Sequence, residues 1–108
     1  MDSEQFEESK SFNLVEVLEY QSNSIVVKNI KIENNCQLQA FVFDFGKVQS
    51  YDKSPDLRFL HILEGKAEIV INNNSNFMRK GDSIIIPRHT SCSIEANHKF
   101  KMISITLK

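Results

Sequence analysis

The chain is a succession of short runs in which apolar and polar residues alternate, each ended by a polar break before a helix of ordinary length could form. From Ser24 to Ile32 the apolar positions are Ile25, Val27, Ile30 and Ile32, and Asn34-Asn35 ends the run. Gln37 to Phe45 carries Leu38, then Phe41, Phe43 and Phe45 on one side. Leu57 to Leu63 and Lys66 to Ile71 read as two strands joined across Glu64-Gly65. Asn72-Asn73-Asn74-Ser75 is the clearest turn, and the series closes with Phe77-Met78, Ser83 to Ile86 after Gly81-Asp82, Cys92 to Ala96 and Phe100 to Leu107. About eight short strands with no helical segment between them predict an antiparallel sandwich or barrel.

Composition agrees with an all-β chain. Twelve Ile and seven Val stand against three Ala, and β-branched side chains pack well on a pleated sheet while losing rotamer freedom in a helix. Gly and Pro total only five, but ten Asn supply residues that tolerate left-handed turn geometry. At 108 residues the chain has material for one domain and not two. Residues 1–11, with Asp2, Glu4, Glu7 and Glu8, are expected to form a solvated arm ahead of a domain over residues 12–108. Within that domain Phe12 to Tyr20 fits one or two helical turns better than strict alternation, with a short strand as the alternative. The eleven residues from Gly46 to Asp56 read as a loop, either a plain surface connection or the rim of a cavity.

Several function classes are disfavoured early. Thirteen basic against fourteen acidic residues leave a net charge of −1, so no global field draws nucleic acid or an anionic membrane. No apolar run approaches the ~20 residues that cross a bilayer, and Met1 to Lys10 is acidic and polar rather than a secretion signal, so a cytoplasmic protein is expected. Cys36 and Cys92 belong to no close-spaced pair and read as two reduced thiols. Phosphate loop, zinc cluster and basic-aromatic stripe are all absent from the pattern.

Four segments in order carry a resemblance: Phe43-Asp44-Phe45-Gly46, Leu63 to Ile69 around Gly65, Gly81 to Pro87, and Phe100-Lys101-Met102-Ile103. They are similar to the small single-domain bacterial cupins across roughly residues 12 to 108. The resemblance implies a double-stranded β-helix, a jelly-roll barrel of two sheets, commonly paired as a homodimer. Gly65 and Gly81 then sit at tight turns before strands, and the three Ile before Pro87 suggest a strand buried on both faces.

Cupins with chemistry usually hold a divalent metal through two His and a Glu in a first motif and one His in a second. Anchored on Gly46 and Gly65, the first motif puts Asp52 and Ser54 at its His positions and Arg58 at its Glu. Anchored on Gly81 and Pro87, the second puts Cys92 at its His. Asp and Cys can bind metals, but Ser is a poor ligand and Arg is a permanent cation where a carboxylate should neutralise the ion. The resemblance therefore implies a degenerate metal site, and neither a metal nor another cofactor is expected. His61, His89 and His98 fall outside the ligand positions, with His61, Phe59 and Leu63 fitting a dimer face.

Alternation places Arg58, Leu60 and Ile62 inside the barrel with Cys92 and Ile94, and Asp52 and Ser54 at its mouth. Arg58 then either pairs with Asp52 or is partly free to hold the carboxylate or phosphate of a small ligand, with Ser54 as a further donor. Cys92 lacks the partners of a nucleophile and reads as a pocket-lining thiol. The expected function is a metal-free cupin that binds a small polar or anionic molecule, or serves sensing or structure, through a pocket of Asp52, Ser54, Arg58, Leu60 and Cys92. The alternative is a cupin enzyme of isomerase, decarboxylase or dioxygenase type, with Asp52 as base and Arg58 stabilising an anion. A third reading is a protein-binding module acting through the outer sheet.

Overall fold

The computed structural model describes residues 6–108. One helical turn, α1 (Leu14–Val17), precedes eight strands: β1 (Ile25–Glu33), β2 (Cys36–Phe43), β3 (Val48–Ser54), β4 (Leu57–Ile71), β5 (Asn74–Arg79), β6 (Ser83–Ile86), β7 (Thr90–Glu95) and β8 (Phe100–Leu107). All pairings are antiparallel. The first half of β4 lies between β8 and β6, in a sheet that continues through β2 to β1, and its second half lies between β5 and β7, with β3 at the far edge. One long strand thus belongs to both sheets, and together they curl into a jelly-roll barrel.

What the sequence reads as two strands is this one bent strand. The bend falls where the register with β8 shifts between Ile62 and Glu64, and at Gly65, whose φ is +83°. A Cβ there would lie 2.3 Å from the Lys99 carbonyl oxygen, so the close approach of β4 to the start of β8 requires glycine.

The expected loop over residues 46–56 is corrected to a strand, β3, which pairs with β7. Its sequence, Val48 to Ser54, carries period two mainly in polar residues, and its inward positions Gln49 and Tyr51 are only half-buried. An edge strand with one neighbour needs no apolar run, so periodicity could not reveal it. Two further expectations fail. Phe45 lies beyond the end of β2 and is 69 % exposed, and Ile85, on the outer face of β6, is 61 % exposed. Burial on both faces therefore does not extend to the Ile run.

Between the sheets lies a core of Phe41, Phe43, Leu60, Ile62, Ile69, Ile94, Phe100 and Met102. Phe43 and Phe100 are register partners with stacked rings 4.6 Å apart, and each such side chain stabilises the fold by roughly 1.5–3 kcal/mol. A second cluster forms on the outside of the first sheet. Leu14, Val17, Leu18 and Tyr20, from the N-terminal segment, cover Ala40, Val42 and Leu63 there. The helical reading of Phe12 to Tyr20 becomes a single turn, with the Asn13 side chain accepting from the Glu16 amide. Leu63, expected on a dimer face, is instead under this segment. Of the expected arm, residues 1–5 lie outside the described residues, Phe6 is buried edge-on to Phe12, and residues 7–11 are exposed. Both cysteines are free thiols.

Candidate functional site

Register shows which side chains share the barrel interior. Across the first sheet Gln37, Thr106, Arg58 and Ile86 form one cross-strand row, and Gln39, Ser104, Leu60 and Ile84 form the next. Deeper rows carry Phe41, Met102 and Ile62, then Phe43 and Phe100. Across the second sheet Tyr51, Cys92 and Ile71 face them. The interior therefore changes from aromatic and aliphatic at one end to polar at the other. Buried Ser104 and Thr106 belong to the polar end, where Arg58 supplies the charge.

Arg58 is held from below and from one side. Its guanidinium carbon lies 3.8 Å from the centre of the Tyr51 ring, a cation–π contact made stronger by partial desolvation. Nη2 is 4.0 Å from an Asp56 carboxylate oxygen, with the arginine side chain only 12 % exposed. Nη1 is buried and has no hydrogen-bond partner among the described residues. Buried polar atoms are nearly always bonded, and one left alone costs about 1–3 kcal/mol. Cys92, 6 % exposed, lies in the core across from it. Burial pushes its thiol pKa up, an effect that the Arg58 charge opposes only in part. Burial likewise raises the Tyr51 phenol. Both are protonated near neutrality.

The expected pairing of Arg58 with Asp52 is corrected by these contacts. Asp52 is exposed and accepts a hydrogen bond of 3.0 Å from the Ser91 hydroxyl, and both line an open groove of about 490 Å³ across β3, β4 and β7. The reason is local. Tyr51 takes the inward position opposite Cys92, and Lys53, at φ +48°, breaks the register before Ser54. Asp52 thereby faces away from the barrel, and Asp56 takes the place beside the guanidinium. Ser54 accepts from the Asp56 amide at 3.1 Å, closing the turn into β4. Leu60 is a core residue, 1 % exposed. Of the five predicted pocket residues, the structure brings Arg58, Leu60 and Cys92 to the interior and turns Asp52 away, while Ser54 is engaged in the turn. Tyr51, Asp56 and Thr106 were missed. Tyr51 was within reach of alternation, since it neighbours Asp52 in sequence and one of the two must face inward.

These side chains do not fit a divalent ion. The four family positions hold an outward carboxylate, a turn-bound hydroxyl, a cation and a protonated thiol, and a cation inside the ligand sphere repels the metal. Among the described residues no three His, Cys, Asp or Glu come together in a group that could hold one. Asp52 and Arg58 also do not converge, which removes the base-and-anion-clamp pair of the enzymatic alternative. The histidines lie elsewhere. His61 Nδ1 is 2.7 Å from the Ser83 hydroxyl on the outer face, His89 sits at a turn with its amide bonded to the Ser54 carbonyl, and His98 lies in the β7–β8 connection.

A two-sheet barrel with its polar end built around inward side chains defines the chain as a cupin-fold protein. Solved structures agree. A cupin 2 conserved barrel domain protein from Leptotrichia buccalis superposes with a TM-score of 0.89 at 24 % identity, over 93 % of this chain and 48 % of that one. The chain thus spans about half the length of that protein. A cupin superfamily protein from Desulfitobacterium hafniense gives 0.84 at 22 % identity, over 95 % and 94 %. A conserved protein of unknown function from Streptococcus pyogenes gives 0.88 at 21 % identity, over 96 % and 91 %. No family model matches the sequence, and no curated protein matches it.

Proposed function

We propose that the protein binds a small carboxylate at the polar end of its barrel, through Arg58, without a resident divalent metal. One observation carries the reading: Arg58 Nη1 is buried in the barrel with no hydrogen-bond partner among the described residues. A carboxylate satisfies that atom, and a guanidinium offers two parallel donors to it. Thr106 and Ser104 are polar neighbours on the same face, and the Tyr51 ring fixes the plane of the guanidinium. The role is binding, as in a sensor or carrier: the Asp56 carboxylate beside the guanidinium serves as its ion-pair partner, and the Cys92 thiol and Tyr51 phenol stay protonated near neutrality. Two free thiols support a cytoplasmic location.

A homodimer completes the proposal. Leu38, Ile105, Phe59 and Ile85 form one cross-strand row on the outer face of the first sheet, beside the area that the N-terminal segment covers. An apolar row of this kind is self-complementary about a two-fold axis.

Calorimetric titration with malonate tests the site. Binding by the native protein, reduced at least about tenfold in Arg58→Met, is the expected result. Equal affinity in the two proteins would overturn the assignment.

A further inference from the structure

Outside the barrel, an open cavity of about 410 Å³ lies where β4 and β5 meet the β7–β8 connection. Lys66, Arg79, His98 and Phe77 line it, together with Ala67 and Met78, whose buried side chains belong to the core. Lys66 and Arg79 are register partners across β4 and β5, so their side chains leave the same face close together. His98 approaches from the loop. None of the three has a side-chain ion-pair or hydrogen-bond partner among the described residues.

Two carboxylates stand beside the groove, Glu68, the register partner of Phe77, and Asp82, and neither pairs with these cations among the described residues. Glu68 accepts 2.7 Å hydrogen bonds from the Ser75 hydroxyl on one oxygen and the Asn97 amide on the other, which hold it ionised below its ordinary pKa. Asp82 accepts from the Arg79 backbone amide at 3.0 Å. Phe77 stands two positions before Arg79 on the same face of β5 and is 76 % exposed. An aromatic ring left this bare beside unpaired cations points to a ligand with both an anionic and a planar part.

We propose that this groove is a second ligand site, for a phosphate monoester that carries an aromatic ring. Donors reach the groove from three separate segments, β4, β5 and the loop, which exceeds the need of a carboxylate but matches the three terminal oxygens of a phosphoryl group. Its volume falls within the roughly 300–1,000 Å³ of small-molecule sites. The phosphate is held by Lys66, Arg79 and His98, and the ring lies on Phe77. The inference does not rest on the barrel site.

Amide chemical shifts followed during titration with phenyl phosphate, and separately with inorganic phosphate, test it. Phenyl phosphate is expected to move the amides of Lys66, Phe77, Arg79 and His98, and to bind at least about fivefold more tightly than inorganic phosphate. Phe77→Ala removes that advantage, and Arg79→Ala weakens both ligands about tenfold; both residues are exposed, so the variants fold. Arg58→Met leaves both affinities unchanged. The proposal is overturned if phenyl phosphate moves none of these amides, if it binds no tighter than phosphate, or if Arg58→Met abolishes its binding.

Discussion

An arginine inside a β-barrel loses hydration that its contacts must replace, and Arg58 replaces it only in part: a ring beneath it, one carboxylate at 4.0 Å, and one nitrogen with no hydrogen-bond partner among the described residues. A purely structural buried ion pair would lose about 3–5 kcal/mol on removal of one partner. Arg58→Met, whose thioether still packs on Tyr51, is instead expected to leave stability within about 1 kcal/mol or to raise it, because the orphaned donor disappears. Denaturant unfolding checks this, and a loss above about 2 kcal/mol would make Arg58 a structural residue. Cys92, buried and with a raised pKa, is expected to react with iodoacetamide far more slowly than half-buried Cys36, with protection lost on unfolding. Mass spectrometry of timed digests reads both rates. Arg58, Leu60 and Cys92 were legible because period-two alternation and the family frame agree on them. Asp52 was misplaced because the family frame set it at the barrel mouth, whereas alternation with Tyr51, opposite Cys92, turns it outward.

At the scale of elements, the N-terminal segment is clasped to the outside of the barrel by a small polar network. Lys101, only 7 % exposed, donates to the Val15 carbonyl at 2.8 Å and lies 3.7 Å from Glu64, which also accepts from the Tyr20 hydroxyl at 2.7 Å. Burial, followed by the Glu64 contact, raises the Tyr20 pKa well above its ordinary value. The folded protein then keeps a proton that the unfolded chain releases near pH 10, so this contribution is intact below about pH 10 and declines as pH rises towards the folded-state pKa. Stability is therefore expected to fall above about pH 10, and Tyr20→Phe to flatten that fall while costing about 1 kcal/mol at neutral pH. Chemical denaturation at a series of pH values measures both. The strands with apolar alternation were readable one by one. β3 was hidden because an edge strand with polar residues has no apolar period, and β4 was split because a bulge and Gly65 look like a turn until the sheets on both sides are seen.

For the whole molecule, the fold was the most legible part, since antiparallel strands, asparagine turns and the positions of Gly65 and Gly81 point to one barrel. Long-range contacts were not: Asp56 beside Arg58 depends on how β3 enters β4, and the groove around Phe77 depends on pairing between β4 and β5. Self-association belongs to this scale as well. Ile85→Glu, at the exposed β6 end of the outer row, is expected to convert a dimer into a monomer in light scattering without loss of fold, whereas an unchanged mass would exclude that face. On the proposed function, Arg58 makes the interior of this cupin-fold barrel an anion site in place of a metal site. A crystal structure of the protein purified without chelator and grown with malonate tests it most directly. A carboxylate oxygen is expected about 2.7–2.9 Å from Arg58 Nη1, with no anomalous signal from a divalent ion in the barrel. A metal bound beside Cys92, or Nη1 bonded to a protein carboxylate with no malonate in the interior, would contradict it.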